Sequence, residues 1–354
     1  MSRAGAVRAS ARNRRDRPSS PSRATDDREF MSFGPSEPGI PLRRRSRWWW
    51  LGPLASIVIF GASLVVLWHI VREIDVAELR SAFDNASLRQ LGLACGFTAV
   101  SYLLLTGYDA LALKRLGLSI AYRVTALASF TSYAVSFTLG FPIVTGGTVR
   151  YWIYAPKGVR ASEVASLTVI AGLTFWLGLG AILCACLFYA TESVAVLARS
   201  SPLVVQAVGA SVAAATLGYL GWVATGERAL RVRGWNLPLP GPGLTLAQMM
   251  LGACEVCAAA AVLFVLLPGG HDLDYPTFLA VYVFACLIGI ASNAPGGLGV
   301  FEATMLVALN RLPYGHVLGA LLIFRIVYYL LPFILALVLL ALNEMIRRIR
   351  RRER

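Results

Sequence analysis

Charge is scarce in most of this chain. Of its 354 residues only 15% are charged and 57% are hydrophobic, where soluble domains run at about 25% and 45–50%. That shortage excludes an ordinary soluble domain and points to a polytopic membrane protein. Histidine occurs three times, at His69, His271 and His316, each near the outer edge of an apolar run. The run His271-Asp-Leu-Asp274 therefore reads as a solvated loop rather than a metal or acid/base site. The six cysteines (Cys95, Cys184, Cys186, Cys254, Cys257 and Cys286) all lie in apolar stretches. Cys254 and Cys257 have CxxC spacing, but no second pair follows, so they read as small packing residues without disulfide or structural zinc. Walker A, HExxH and GxSxG motifs are missing, which argues against an enzyme of those classes. No cofactor and no metal are expected. Residues 1–47 lack an early apolar segment, so no signal peptide is expected.

What charge there is sits mainly at the ends. The net charge is +14, of which residues 1–47 and 343–354 supply +11 and the rest of the chain +3. Beside apolar runs, such basic tails read as anchors against an anionic membrane surface rather than as nucleic-acid contacts. Trp48, Trp49 and Trp50 follow Arg43, Arg44, Arg45 and Arg47, an interfacial aromatic anchor next to a basic cluster. Residues 1–47, rich in Arg, Ser and Pro, read as a disordered cytoplasmic tail. Residues 343–354 form a second basic tail.

A spanning helix needs about 20 mostly apolar residues. Six stretches qualify: 49–70, 91–113, 164–190, 203–224, 246–267 and 317–342. Two further apolar regions, 124–156 and 277–311, are interrupted by Gly and Pro and read as broken, re-entrant hairpins of half-length helices, with full crossings by all four pieces as the other reading. With the N-terminus inside, 26 of the 33 basic residues fall on the cytoplasmic side. Both termini are then cytoplasmic.

The apolar segments repeat at offsets of about 150–155 residues. Segments 49–70, 91–113 and 164–190 parallel 203–224, 246–267 and 317–342, and Gly146-Gly147 parallels Gly296-Gly297. The expected fold is all-α: an inverted repeat of helix, helix, broken re-entrant hairpin and helix, in halves of about 48–190 and 203–342. Each half has an odd number of crossings, so the second half is upside down relative to the first. Many secondary transporters are built this way.

Charged side chains inside a bilayer are costly and usually face a cavity or one another. The candidates are Asp109, Arg150, Glu255, Glu302 and Arg325. Asp109 lies toward the cytoplasmic end of its helix, with Lys114 close by; an interfacial charge and a functional one are equally good readings. Tyr328 and Tyr329 follow Arg325 on one helical face. Arg150 and Glu302 each follow a Gly-rich break. Such breaks free backbone N–H groups and a positive helix end, suited to an anionic headgroup.

These residues carry a resemblance. Ser132-Tyr133, Gly140-Phe141, Gly146-Gly147, Arg150 and Tyr154, with Pro295-Gly-Gly-Leu-Gly-Val-Phe-Glu302, resemble the flippase-like membrane region of bacterial lysylphosphatidylglycerol synthase/flippase proteins. The likeness spans residues 50–342 and is strongest to stand-alone members of that family. It implies movement of an aminoacylated or other polar-headed lipid between leaflets, with Arg150 and Glu302 at family-motif positions. The sequence ends at Arg354 without a recognisable aminoacyl-transferase domain, so synthase activity is not expected of it.

The expected function is lipid transport through a polar cavity near the midplane. Arg150 and Arg325 would meet a phosphate, and Glu302, Glu255 and Asp109 would balance charge. Gly146, Gly147, Gly296, Gly297 and Tyr154 complete the candidate site. The expected partners are membrane lipids, anionic or aminoacylated, with homo-oligomerisation left open. A membrane-embedded lipid-modifying enzyme and an accessory protein of a glycolipid pathway remain as alternatives.

Overall fold

The computed structural model describes residues 86–352 apart from 198–199, 227–228, 233–234, 239, 269–272 and 293–296. The basic tail 1–47, the aromatic anchor Trp48 to Trp50, the stretch 49–70, His271 and Gly296 lie outside the described residues.

The described chain is almost wholly helical. Helix α1 spans Leu88–Arg115, α2 Tyr122–Leu139, α3 Pro142–Tyr154, α4 Ala161–Tyr189, α5 Thr191–Leu197 and α6 Pro202–Ala224. Then come α7 Pro242–Phe264, α8 Tyr275–Ala291, α9 Val300–Ala308, α10 Tyr314–Phe324 and α11 Leu331–Arg352. A two-stranded antiparallel ribbon, β1 Ala229–Val232 with β2 Trp235–Pro238, sits in the polar connection between α6 and α7.

Helix starts follow local chemistry. Ser87 caps α1 reciprocally: its hydroxyl accepts from the Gln90 N–H at 3.2 Å, and the Gln90 side chain accepts from the Ser87 N–H at 2.9 Å. Pro142, Pro202 and Pro242 open α3, α6 and α7, where a missing N–H costs nothing.

Among the described residues five helical stretches are long and apolar enough to cross a membrane: 88–115, 161–189, 202–224, 242–264 and 314–349. They coincide with five of the six expected spans. The last runs unbroken from α10 through a π turn, Arg325–Leu330, into α11.

The two interrupted regions are pairs of shorter helices packed on each other, α2 with α3 and α8 with α9. At 1.5 Å per residue, α3 and α9 are only about 20 Å and 14 Å long, against a hydrocarbon core of about 30 Å. The same order of long helix, broken pair and long helix thus occurs twice, as α1, α2/α3, α4 and as α7, α8/α9, α10–α11.

The first break is not where the Gly-Gly pair predicts it. Gly146 and Gly147 are helical, inside α3, and the chain turns at Gly140 (φ +77°) and Phe141 (φ +52°). Gly146 is small for packing rather than for turning: a Cβ there would lie 2.7 Å from Ser136 Oγ and 3.1 Å from Arg150 Nη1. In the second pair the glycines do make the turn, with Gly297 at φ +65° and Gly299 at φ +79°.

Helix α7 is the hub, packed against both α1 and α4. The α4–α7 crossing is backbone on backbone. A Cβ on Gly178 would lie 2.3 Å from the Gly252 carbonyl carbon, and one on Gly252 would lie 2.6 Å from the Thr174 carbonyl oxygen. Small residues at such crossings let membrane helices approach closely. Glu255 is one turn beyond this contact, on the same helix.

Candidate functional site

Four of the five candidate charges form two pairs. Asp109 on α1 and Arg150 on α3 make a forked ion pair, with Arg150 Nε 2.9 Å from Asp109 Oδ2 and Nη2 2.8 Å from Oδ1. The pair is buried, with 3% of the Arg150 and 0% of the Asp109 side chain exposed. Tyr154 donates from its hydroxyl to Asp109 Oδ2 at 3.3 Å, and the guanidinium lies 4.8 Å from the centre of the Tyr133 ring. Asp109 is thus held by Arg150 rather than standing as a helix-end charge beside Lys114. Gly146 leaves the space the guanidinium fills, while Gly147 only borders Thr168 Oγ1, 3.8 Å from where a Cβ would be.

The second pair joins Glu302 on α9 to Arg325, which opens the π turn. It is more open, with 19% of Glu302 and 17% of Arg325 exposed. Glu302 also caps its own helix. Its Oε2 accepts from the Gly299 N–H at 2.8 Å and closes the first turn of α9. Arg325 also lies 5.5 Å from the Tyr329 ring centre. Gly297 lies against Gly289 of α8, a Cβ on it falling 3.6 Å from the Gly289 Cα.

Glu255 on α7 is the exception. It is 3% exposed, and its partners are three hydroxyls. Ser101 Oγ lies 2.9 Å and the Tyr328 hydroxyl 3.2 Å from Oε1, and the Tyr108 hydroxyl lies 3.4 Å from Oε2. Among the described residues it has no ion-pair partner.

Aromatic rings join these sites. From Arg150 the path runs to Tyr133, then to Phe137 at 5.7 Å, then to Tyr329 at 6.4 Å, and so to Arg325. Tyr108 branches from Tyr133 at 5.9 Å and leads to Glu255. Ser101 and Tyr108 are site residues that sequence reading missed. A signal existed: Ser101 and Tyr108 stand seven positions apart and so share one face of an apolar helix, with Asp109 next in the chain. No group of three or more potential metal ligands exists among the described residues.

Long apolar helices enclosing a buried network of acids, arginines and phenols define a multi-pass membrane protein with intramembrane polar groups. The chain belongs to the family described as the lysylphosphatidylglycerol synthase TM region, which it matches over residues 49–336. It is 33% identical over 277 residues to the uncharacterized protein slr0712 of Synechocystis, covering 77% of this chain and 85% of that one. It is 28% identical over 305 residues to the inner membrane protein YbhN of Escherichia coli, covering 84% and 94%. It is also 26% identical over 307 residues to a phosphatidylglycerol lysyltransferase of Staphylococcus haemolyticus, covering 80% of this chain but 33% of that protein.

Proposed function

We propose that the protein moves a polar-headed, phosphate-containing lipid between the two leaflets of a bacterial cytoplasmic membrane, with both of its termini on the cytoplasmic side. In this reading the α2/α3 and α8/α9 pairs are re-entrant hairpins of two inverted halves. The observation that carries it is the line Arg150, Tyr133, Phe137, Tyr329, Arg325, which joins one ion pair in each broken region through aromatic rings. Each charge at the bilayer centre costs about 2.5–3.5 kcal/mol or more, and an all-apolar core would hold the helices together without that cost. A chain of charges and π faces is instead a route along which a polar group stays partnered.

A lipid phosphate, like a carboxylate, offers two oxygens to an arginine fork and so competes with it for the same guanidinium. The partly exposed Glu302–Arg325 pair is the point of entry, and the buried Asp109–Arg150 pair is the second station. The relationship to phosphatidylglycerol lysyltransferases supports a phospholipid, anionic or aminoacylated, as the cargo. The test is translocation of fluorescent phospholipids in proteoliposomes. At least one lipid class is expected to cross faster than in protein-free vesicles, and equal rates for every class would end the transport reading.

A further inference from the structure

Glu255 is the one candidate charge outside the two ion pairs, and the hydrogen count around it defines its state. Three oxygens touch each other: Glu255 Oε1 and Ser101 Oγ at 2.9 Å, Glu255 Oε1 and the Tyr328 hydroxyl at 3.2 Å, and Ser101 Oγ and the Tyr328 hydroxyl at 2.9 Å. Three such contacts need three hydrogens. Ser101 and Tyr328 supply one each. An ionised Glu255 supplies none, so one contact of the triangle would set lone pair against lone pair. A neutral carboxyl supplies the third hydrogen and closes the ring of donors. The Tyr108 hydroxyl reaches the other carboxyl oxygen, Oε2, and the Tyr102 hydroxyl is occupied by the Tyr328 carbonyl at 3.2 Å, so neither completes the triangle.

Among the described residues the neighbours provide no compensating charge. Helix α1 presents Ser101, Tyr102 and Tyr108, and the π turn presents Tyr328 and Tyr329. Helix α2 adds Tyr133, α8 adds Tyr282 and Cys286, and α7 itself adds Cys257, with Cys186 of α4 beside it. All are phenols or thiols apart from the Ser101 hydroxyl. The cations of the network, Arg150 and Arg325, already hold Asp109 and Glu302. Burying an ionised carboxylate with no cation is costly enough that such a group takes up a proton instead.

We propose that Glu255 is a proton site, neutral in this conformation, and that the proton it binds and releases is the coupling ion of the lipid movement; the coupling rests on the transport reading above. Release requires the Ser101–Tyr328 contact to open, and Tyr328 belongs to the π turn that carries Arg325. Loss of the proton is thereby tied mechanically to the Arg325–Glu302 pair.

Infrared difference spectroscopy in lipid nanodiscs tests the proton site without transport. A protonated carboxyl has its own C=O stretch. At neutral pH this band is expected in the wild type and missing in Glu255→Gln, whose amide N–H replaces the third hydrogen and keeps the fold. A band unchanged by Glu255→Gln, or no band to lose, overturns the proposal. In proteoliposomes, an imposed proton gradient is expected to change the wild-type rate at least two-fold and to leave Glu255→Gln unchanged. Wild-type rates indifferent to the gradient overturn the coupling and leave transport standing. Vesicles in which no lipid moves under any gradient overturn the transport reading and the coupling together, while the infrared band still decides the proton site.

Discussion

Asp109 and Arg150, 41 positions apart in the chain, meet in a forked ion pair that is almost wholly shielded, with Nη2 2.8 Å from Oδ1. Taking away one member of a buried pair leaves an unpartnered charge and costs about 3–5 kcal/mol, whereas replacing both by apolar residues of similar size is often neutral. Asp109→Ala is therefore expected to lower the thermal midpoint strongly in nanodiscs. The double variant Asp109→Leu with Arg150→Met is expected to recover most of that loss and yet to move no lipid. A double variant as active as the wild type would reduce this pair to a structural tie.

The Glu302–Arg325 pair asks for a different experiment, because Glu302 also caps α9 through Gly299. Glu302→Gln keeps an acceptor for the Gly299 N–H and removes the charge facing Arg325. For a partly exposed pair the stability change is expected to be about 1 kcal/mol or less, while lipid translocation falls by an order of magnitude. Glu302→Ala loses the cap as well and is expected to cost about a further 1 kcal/mol. Comparing thermal midpoints with rates across the two variants separates cap from charge.

The α4–α7 crossing yields a packing prediction. Gly178→Ala and Gly252→Ala each place a Cβ within 2.3–2.6 Å of the opposite backbone, so the helices must part. Overpacking of this kind costs about 1–3 kcal/mol. Gly172, on the same helix as Gly178, has nothing within 4 Å of its added Cβ. Gly172→Ala is expected to be neutral or stabilising by about 0.5–1 kcal/mol. Thermal unfolding of the three variants gives the order directly.

Long helices are the most legible part of the chain, because about 20 uninterrupted apolar residues have few other folds available. The expected span 203–224 and α6, Pro202–Ala224, differ by one residue. Partnerships are harder. Asp109 and Arg150 are matched only when α1 and α3 have packed, and a sequence shows Lys114 much closer to Asp109 than Arg150 is. Gly146-Gly147 reads as a turn because glycine is conformationally free. The use of Gly146 here is lack of volume beside Ser136 and Arg150, which no local pattern reveals. Nothing in Arg-Ile-Val-Tyr-Tyr-Leu announces a π turn either: Arg325 marks an unusual charge rather than a change of winding, and the other five residues are ordinary members of an apolar helix.

A pH prediction concerns the N-terminal end of α8. Asp274 caps that helix, accepting from the Thr277 N–H at 3.3 Å, and its hydrogen bonds to Thr277 hold the carboxyl below its ordinary value. A carboxyl with a lowered folded value stabilises above the ordinary carboxylate range and loses that contribution as pH falls through the lowered value. Asp274→Ala is thus expected to weaken the helix at neutral pH and to match the wild type in strong acid. Hydrogen exchange of the first turn of α8, followed with pH, checks it.

The π turn at Arg325–Leu330 puts one surplus residue into a helix that otherwise advances about 100° per residue. Such a surplus is portable. If it slides one position along the chain, the residue it passes swings by about that angle, and the helix on either side neither unwinds nor changes length. Arg325, Tyr328 and Tyr329 occupy this stretch. A membrane helix built this way holds a rotary click in reserve, and its side chains can trade partners while its two ends stay still.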